Sequence, residues 1–104
     1  MIRVSVYYPN SPDKKFDLDY YSTKHMGMVS DRLTPLGLVK WDVDKGLAGG
    51  TPADPAPFVA IGHIYFNSVD EFQKAFPAHA PEILADIPNF TDIEPQFQVS
   101  EVIG

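Results

Sequence analysis

Nine consecutive residues, Phe58 to Phe66 (FVAIGHIYF), constrain this 104-residue chain more than any other stretch. The run is nearly all apolar and reads as a strand buried on both faces. Ile61, His63 and Tyr65 point to one side, and Ala60 and Gly62 to the other. A chain with such a strand at its centre must cover both sides of the sheet that contains it.

The flanking segments supply three further strands and the helices between them. Ile2 to Tyr8 alternates, with Ile2, Val4, Val6 and Tyr8 opposite Arg3, Ser5 and Tyr7. Gly37 to Gly46 and Gln96 to Ile103 alternate in the same way. Asp17 is placed to cap a helix over about Leu18 to Arg32, with Phe16 and Tyr21 as a hydrophobic staple across its first turn. On a 3.6-residue period Leu18, Tyr21, His25, Met28 and Val29 share one face of it. Ser68-Val-Asp-Glu71 matches a capping box and starts a second helix, expected to stop before Pro77. HAPEILADIP predicts a separate short helix with Pro81 in its first turn and Pro88 at its end. LAGGTPADPAP, rich in glycine and proline, reads as a loop.

The order β-α-β-β-α-(short helix)-β describes an α+β, ferredoxin-like βαββαβ domain with a four-stranded antiparallel sheet, occupying residues 1–104 as a single domain. Its helices cover one face. With the third strand apolar on both sides, a second copy of the chain is expected on the other, giving a homodimer with its sheets face to face and an apolar interface.

Charge and composition narrow the partners. The net charge of −6, with no basic cluster beyond Lys14-Lys15, disfavours nucleic acid and anionic membrane surfaces. No apolar run approaches the ~20 residues needed to span a bilayer. Cysteine is absent, which removes disulfides, thiolate metal sites and cysteine nucleophiles together. The chain begins on a strand-like run and shows no signal-peptide pattern, so the expectation is a small cytoplasmic protein.

Several separated motifs in order carry a resemblance: VSVYYPN, then FDLDYYSTKHM, then GLAGG with PAPFVAIGHIYFNSVDEFQKAF, and HAPEILADIPNFTDIEPQFQVSEV. Together they run from about residue 2 to residue 103 and resemble the EthD family, named for a protein linked to ethyl tert-butyl ether degradation. The resemblance implies a dimeric α+β barrel. It also implies the family's usual label of oxidoreductase, although no nucleotide-binding fingerprint accompanies that label here. Relatives with this barrel include cofactor-free oxygenases, cyclases, isomerases, dehydratases and haem proteins, so the fold alone selects no reaction. One departure is local. Gly27 stands where the family pattern has proline after His-Met, which puts the bend of the first helix in question.

The chemistry-bearing residues are few. Tyr21 and His25, four apart on a helix, are neighbours, and an imidazole beside a phenol suits proton transfer near neutrality. His25 is the candidate acid/base and Tyr21 its orienting or oxyanion-stabilising partner. The plain alternative is a packed histidine satisfied by Tyr21 or a carbonyl. His63, Trp41, Tyr7 and Met28 are candidate walls of a pocket for a small hydrophobic or aromatic molecule; the alternative for each is core or interface. No metal or cofactor is expected. The three histidines lack H-x-x-x-H or H-E-x-x-H spacing, Gly49-Gly50 is followed by Thr51-Pro52 without a phosphate-loop helix, and GxGxxG is absent. Two functions stay open: a proton-transfer enzyme, or a binding protein that serves an oxygenase system without chemistry of its own.

Overall fold

The computed structural model describes residues 1–104. Four strands, β1 (Ile2–Pro9), β2 (Lys40–Lys45), β3 (Phe58–Phe66) and β4 (Gln96–Glu101), form one sheet in the order β2-β3-β1-β4. All three pairings are antiparallel, so the ferredoxin-like α+β fold is present. The smallest dimension of the molecule, 19 Å, is that of one sheet with one layer of helices.

The first helix begins where Asp17 accepts a hydrogen bond from the Tyr20 amide at 3.1 Å. Its staple forms as well, with the Phe16 and Tyr21 rings 5.3 Å apart. The helix then departs from regularity. Leu18–Tyr20 is α-helical, Tyr21–His25 is a π-helical turn, and Met26–Leu33 is α-helical again. The Met26 amide reaches back five residues to the Tyr21 carbonyl. Such single-turn insertions recur at functional sites, because they re-aim side chains without ending the helix. The helix continues through Gly27, so the feature in the bend is the π turn that precedes it.

The second helix corrects an expectation. Val69–Asp86 is one continuous helix of 18 residues, with Pro77 and Pro81 inside it, where the sequence predicted a break. Both prolines are exposed. The carbonyls that lose their intrahelical donors, those of Gln73 and Pro77, therefore lie on the solvent side, where water satisfies them. Spaced four apart, the two prolines mark a single face. The buried face, with Ala75 and Ile83, is uninterrupted.

The core lies between the helices and the inner face of the sheet, with Leu33, Ala60, Phe66 and Phe90 fully buried. The outer face is not the apolar surface that the sequence suggested. Registered side by side there are Lys40, Asp42 and Asp44 of β2, Ile61, His63 and Tyr65 of β3, Arg3, Ser5 and Tyr7 of β1, and Gln96, Gln98 and Ser100 of β4. His63 links Ser5 Oγ at 2.8 Å to Asp44 Oδ2 at 2.9 Å, and the Tyr65 hydroxyl donates to Asp42 at 3.2 Å. On this side β3 is apolar at Ile61, on the ring of Tyr65 and at Phe58, which packs on Tyr7 at 5.2 Å.

Gly37 ends the first helical segment after the 3₁₀ turn Thr34–Leu36, at φ 115°. Its amide donates to Thr34 O and that of Leu38 to Leu33 O, a left-handed cap that turns the chain into β2. Replacing Gly37 by alanine should lower the unfolding free energy by about 1–2 kcal/mol. The measurement is a urea titration whose midpoint falls while its slope stays constant.

Candidate functional site

Between the two helices and the inner sheet face lies a cavity of about 40 Å³. That is room for one or a few water-sized groups. The first helix contributes Tyr21, His25, Met26 and Val29, and the second helix Phe76, Ile83 and Leu84, with Ile87 just beyond it. Val6, Tyr8, Gly62, Ile64 and Phe97 form the floor. Phe97 and Leu84 are about half exposed, at 56% and 45%, and so mark the side on which the cavity meets solvent.

His25 is the only side chain of the lining that titrates near neutral pH, and it is 4% exposed. Its Nδ1 lies 2.8 Å from Asp86 Oδ2. Asp86, at the end of the second helix, also accepts from the Tyr20 hydroxyl at 2.7 Å and from Asn89 Nδ2 at 2.9 Å. Burial works to raise the Asp86 carboxyl, but the bonds from Asn89, His25 and Tyr20 outweigh it and hold the acid below its usual range. An ionised carboxylate only accepts, so Nδ1 carries a proton and the lone pair of the neutral ring is on Nε2. Burial, the larger effect, lowers the imidazole below its ordinary value, and Asp86 opposes it in part. The resting ring is thus neutral, has a fixed tautomer and makes its one protein hydrogen bond through Nδ1.

Aromatic packing fixes the rest. Tyr21 stacks on the His25 ring at 5.6 Å and 23°, and Phe90 packs on the imidazole at 4.8 Å. Phe90 is held where its carbonyl accepts from the Asp17 amide at 2.8 Å, next to the Phe16–Thr91 bridge that ties the start of one helix to the end of the other. Tyr8 and Tyr21 are each 1% exposed, with rings 5.3 Å apart. Burial drives both phenols far above the usual phenol range, and each hydroxyl is the other's neighbour. Both remain protonated donors at any physiological pH. Gly62 makes this possible, because a Cβ there would overlap the Tyr21 hydroxyl.

The structure brings Tyr21 and His25 together on the cavity. It does not bring the four expected wall residues there. His63 and Tyr7 lie on the outer sheet face, since strand parity sends them away from the helices. Trp41 is on the inner face but at the edge strand, where it borders a separate groove with Ser30 and Leu38. Met28 faces an outer groove beside Tyr20, Lys24 and Asp86. The π turn explains this last difference. One extra residue in the turn rotates the following segment, so Val29 takes the inward place that a regular helix would give to Met28, and Met26 turns inward beside His25. Asp86, Tyr8 and Gly62 were not read as site residues from the sequence. Asp86 stands three residues after Ile83, at the margin of that helix's apolar face, which is the one local signal it gives. No cluster of three histidine, aspartate or glutamate side chains is placed to hold a metal ion.

A family profile described as the EthD domain matches residues 11–94. An EthD-like protein from Ralstonia eutropha JMP134 superposes with a TM-score of 0.93 at 42% identity, covering 99% of this chain and 92% of that one. An ethyl tert-butyl ether (EthD) family protein from Bacillus halodurans C-125 gives 0.68 at 14% identity, covering 99% of both chains. A dimeric ferredoxin-like protein from an uncultured marine organism gives 0.62 at 12%, covering 100% and 96%. A search of curated proteins returns no match. No helix is long and apolar enough to cross a membrane.

Two measurements test the site as built. The unfolded imidazole titrates near ~6.5 and the folded one lower. Between those values the unfolded chain binds the extra proton, so stability should fall as pH drops below ~6.5 and level off beneath the folded pKa. His25→Gln should remove that part of the slope in denaturant titrations at stepped pH, and Asp86→Asn should push the NMR titration of His25 lower still. Separately, Gly62→Ala should destabilise the fold by about 1–3 kcal/mol through overpacking against Tyr21, read in thermal melts and in the near-ultraviolet circular dichroism of the tyrosines.

Proposed function

The chain belongs to the EthD family, and from that premise we propose that it moves a proton on a small uncharged organic molecule held in the helix–sheet cavity, with His25 as general acid/base. The observation that carries this reading is the anchored imidazole itself. Its Nδ1–H is committed to Asp86 and its Nε2 makes no bond to the protein, beside an otherwise apolar cavity. The bond to Asp86, itself held by Tyr20 and Asn89, satisfies one ring nitrogen, and it is the other, free and beside the cavity, that supports a chemical role.

The chemistry follows from the geometry. Nε2 accepts a proton from the bound molecule and the ring becomes an imidazolium. Its new charge is met at once by Asp86, across a bond that strengthens as the ring ionises. Burial makes that attraction stronger than it would be in water. Tyr20 and Asn89 keep the carboxylate oriented, so these two and Asp86 are positioning residues. Tyr21 and Tyr8 offer hydroxyls to an oxygen of the substrate. Nothing in the cavity lining serves as a nucleophile: it contains no serine, threonine, cysteine, aspartate or glutamate.

A second copy of the chain completes the assembly in this reading, seated on the outer sheet face. Two features support it: the dimeric neighbour of the same fold, and the Tyr7, Phe58 and Ile61 side chains set among the polar groups of that face. The polar character of the face makes the interface one of hydrogen bonds and charge as much as of apolar burial.

Two experiments bear on these claims. Across a panel of small uncharged compounds, any turnover by the native protein should fall by about 100-fold or more in His25→Gln, with its melting profile retained. Turnover that survives the substitution removes His25 from the role. Binding without turnover leaves the non-catalytic carrier instead. In light scattering the native chain should have twice the 11.6 kDa mass of one copy, and Asp44→Lys, on the outer face, should shift it toward monomer. A native monomer would dismiss the dimer.

A further inference from the structure

The balance of groups around the cavity restricts the substrate beyond its size. No lysine or arginine lines it, so nothing there neutralises a carboxylate or a phosphate, and nothing receives an anionic leaving group. Two neutral hydroxyl donors, Tyr8 and Tyr21, are side by side at one wall, and one neutral base is stacked next to them. A base with a pair of protonated donors beside it serves a reaction in which the proton leaves one atom while negative charge collects on another. Removal of a proton from a hydroxyl does not fit, because the charge would then appear on the atom facing the base and the donors would have nothing to stabilise.

We infer that the substrate is a small uncharged carbonyl compound with a hydrogen on the carbon next to the carbonyl, its oxygen against the Tyr8 and Tyr21 hydroxyls and that carbon against His25 Nε2. This rests on the role of His25 proposed above and goes further, to the substrate class. In the forward step the C–H bond breaks, the proton goes to Nε2, and the electron pair moves through the new C=C bond onto oxygen. The resulting enolate accepts from the phenols. Return of the proton to carbon gives back the ketone, and its delivery to oxygen gives the enol. Atoms and charge balance within the site, with Asp86 facing the transient imidazolium. Gly62 acts as a positioning residue, since only without a Cβ at 62 does the Tyr21 hydroxyl reach the floor of the cavity.

The probes are acetone and butanone in D₂O, with loss of the α-proton signal followed by NMR. The native protein should accelerate exchange above the buffer rate, with a rate that rises with pH through the His25 titration and then levels. His25→Gln should return it to the buffer rate. Tyr21→Phe, which keeps the ring and its packing, should reduce it by about 100-fold with little change in ketone affinity. Thermal melts show whether each variant is folded, and Asp86→Asn supplies a second variant should His25→Gln fail that check; it should slow exchange and lower the pH of the midpoint. Exchange no faster than buffer in the native protein overturns the inference, as does exchange that Tyr21→Phe leaves untouched. A parallel arm separates the substrate class from the role of His25. If ketones are inert but a cyanohydrin is cleaved in a His25-dependent way, the ketone class falls and proton transfer by His25 stands. If neither reacts and no probe perturbs the His25 ring signals, both fall.

Discussion

An ionisable ring buried in an apolar helix–sheet layer requires a partner, and here that partner comes from the other helix. The bond between His25 and Asp86 joins the middle of the first helix to the last turn of the second, and much of the local structure is arranged around it. Tyr20 and Asn89 saturate the carboxylate, Phe90 closes over the imidazole, and the Phe16–Thr91 bridge holds the two helix ends together. Without Asp86 the ring would be a desolvated polar group with no compensation. With it, the ring is fixed in one orientation and one tautomer, and only one of its nitrogens remains for chemistry. The same contact therefore serves stability and reactivity, and the two cannot be varied independently.

The π turn is the local device that makes the arrangement possible. A regular helix would aim Met28 at the sheet and leave Met26 turned aside. The extra residue in the Tyr21–His25 turn stacks the phenol on the imidazole and points both toward the sheet, where Gly62 leaves the space that the Tyr21 hydroxyl occupies. Helix and strand are thus matched at one point, an absent Cβ opposite a long aromatic side chain. The sheet's other face follows a different logic. Its chain of Ser5, His63 and Asp44 forms a polar surface of fixed geometry, in which register and hydrogen bonding count for more than apolar area.

Much of the fold was legible because its signals are local. The alternation in β1, the apolar run of β3, the Asp17 cap, the Phe16–Tyr21 staple and the Ser68 cap each depend on residues within a few positions of one another, and each is formed. The break expected at Pro77 was not legible in the same way. Whether a proline ends a helix depends on whether its orphaned carbonyl meets water or core, and that is decided by which face the rest of the protein covers. The outer sheet face was misjudged for a related reason. The apolar run of β3 describes one strand, whereas the character of a face is set by the four strands registered across it.

The sequence by itself determined the order of elements, the family, and the pairing of Tyr21 with His25, because spacing along one helix is enough to make those two neighbours. Only the tertiary structure decided that Asp86 stands behind the imidazole, that Tyr8 and Gly62 complete the wall, and that His63, Tyr7, Trp41 and Met28 belong elsewhere. Those outcomes turn on contacts between residues as much as 61 positions apart and on a one-residue rotation inside a helix. Neither leaves a periodic trace in the chain. A helix or strand pattern reports which way a side chain points relative to its own element, and a site is made by what another element places in front of it.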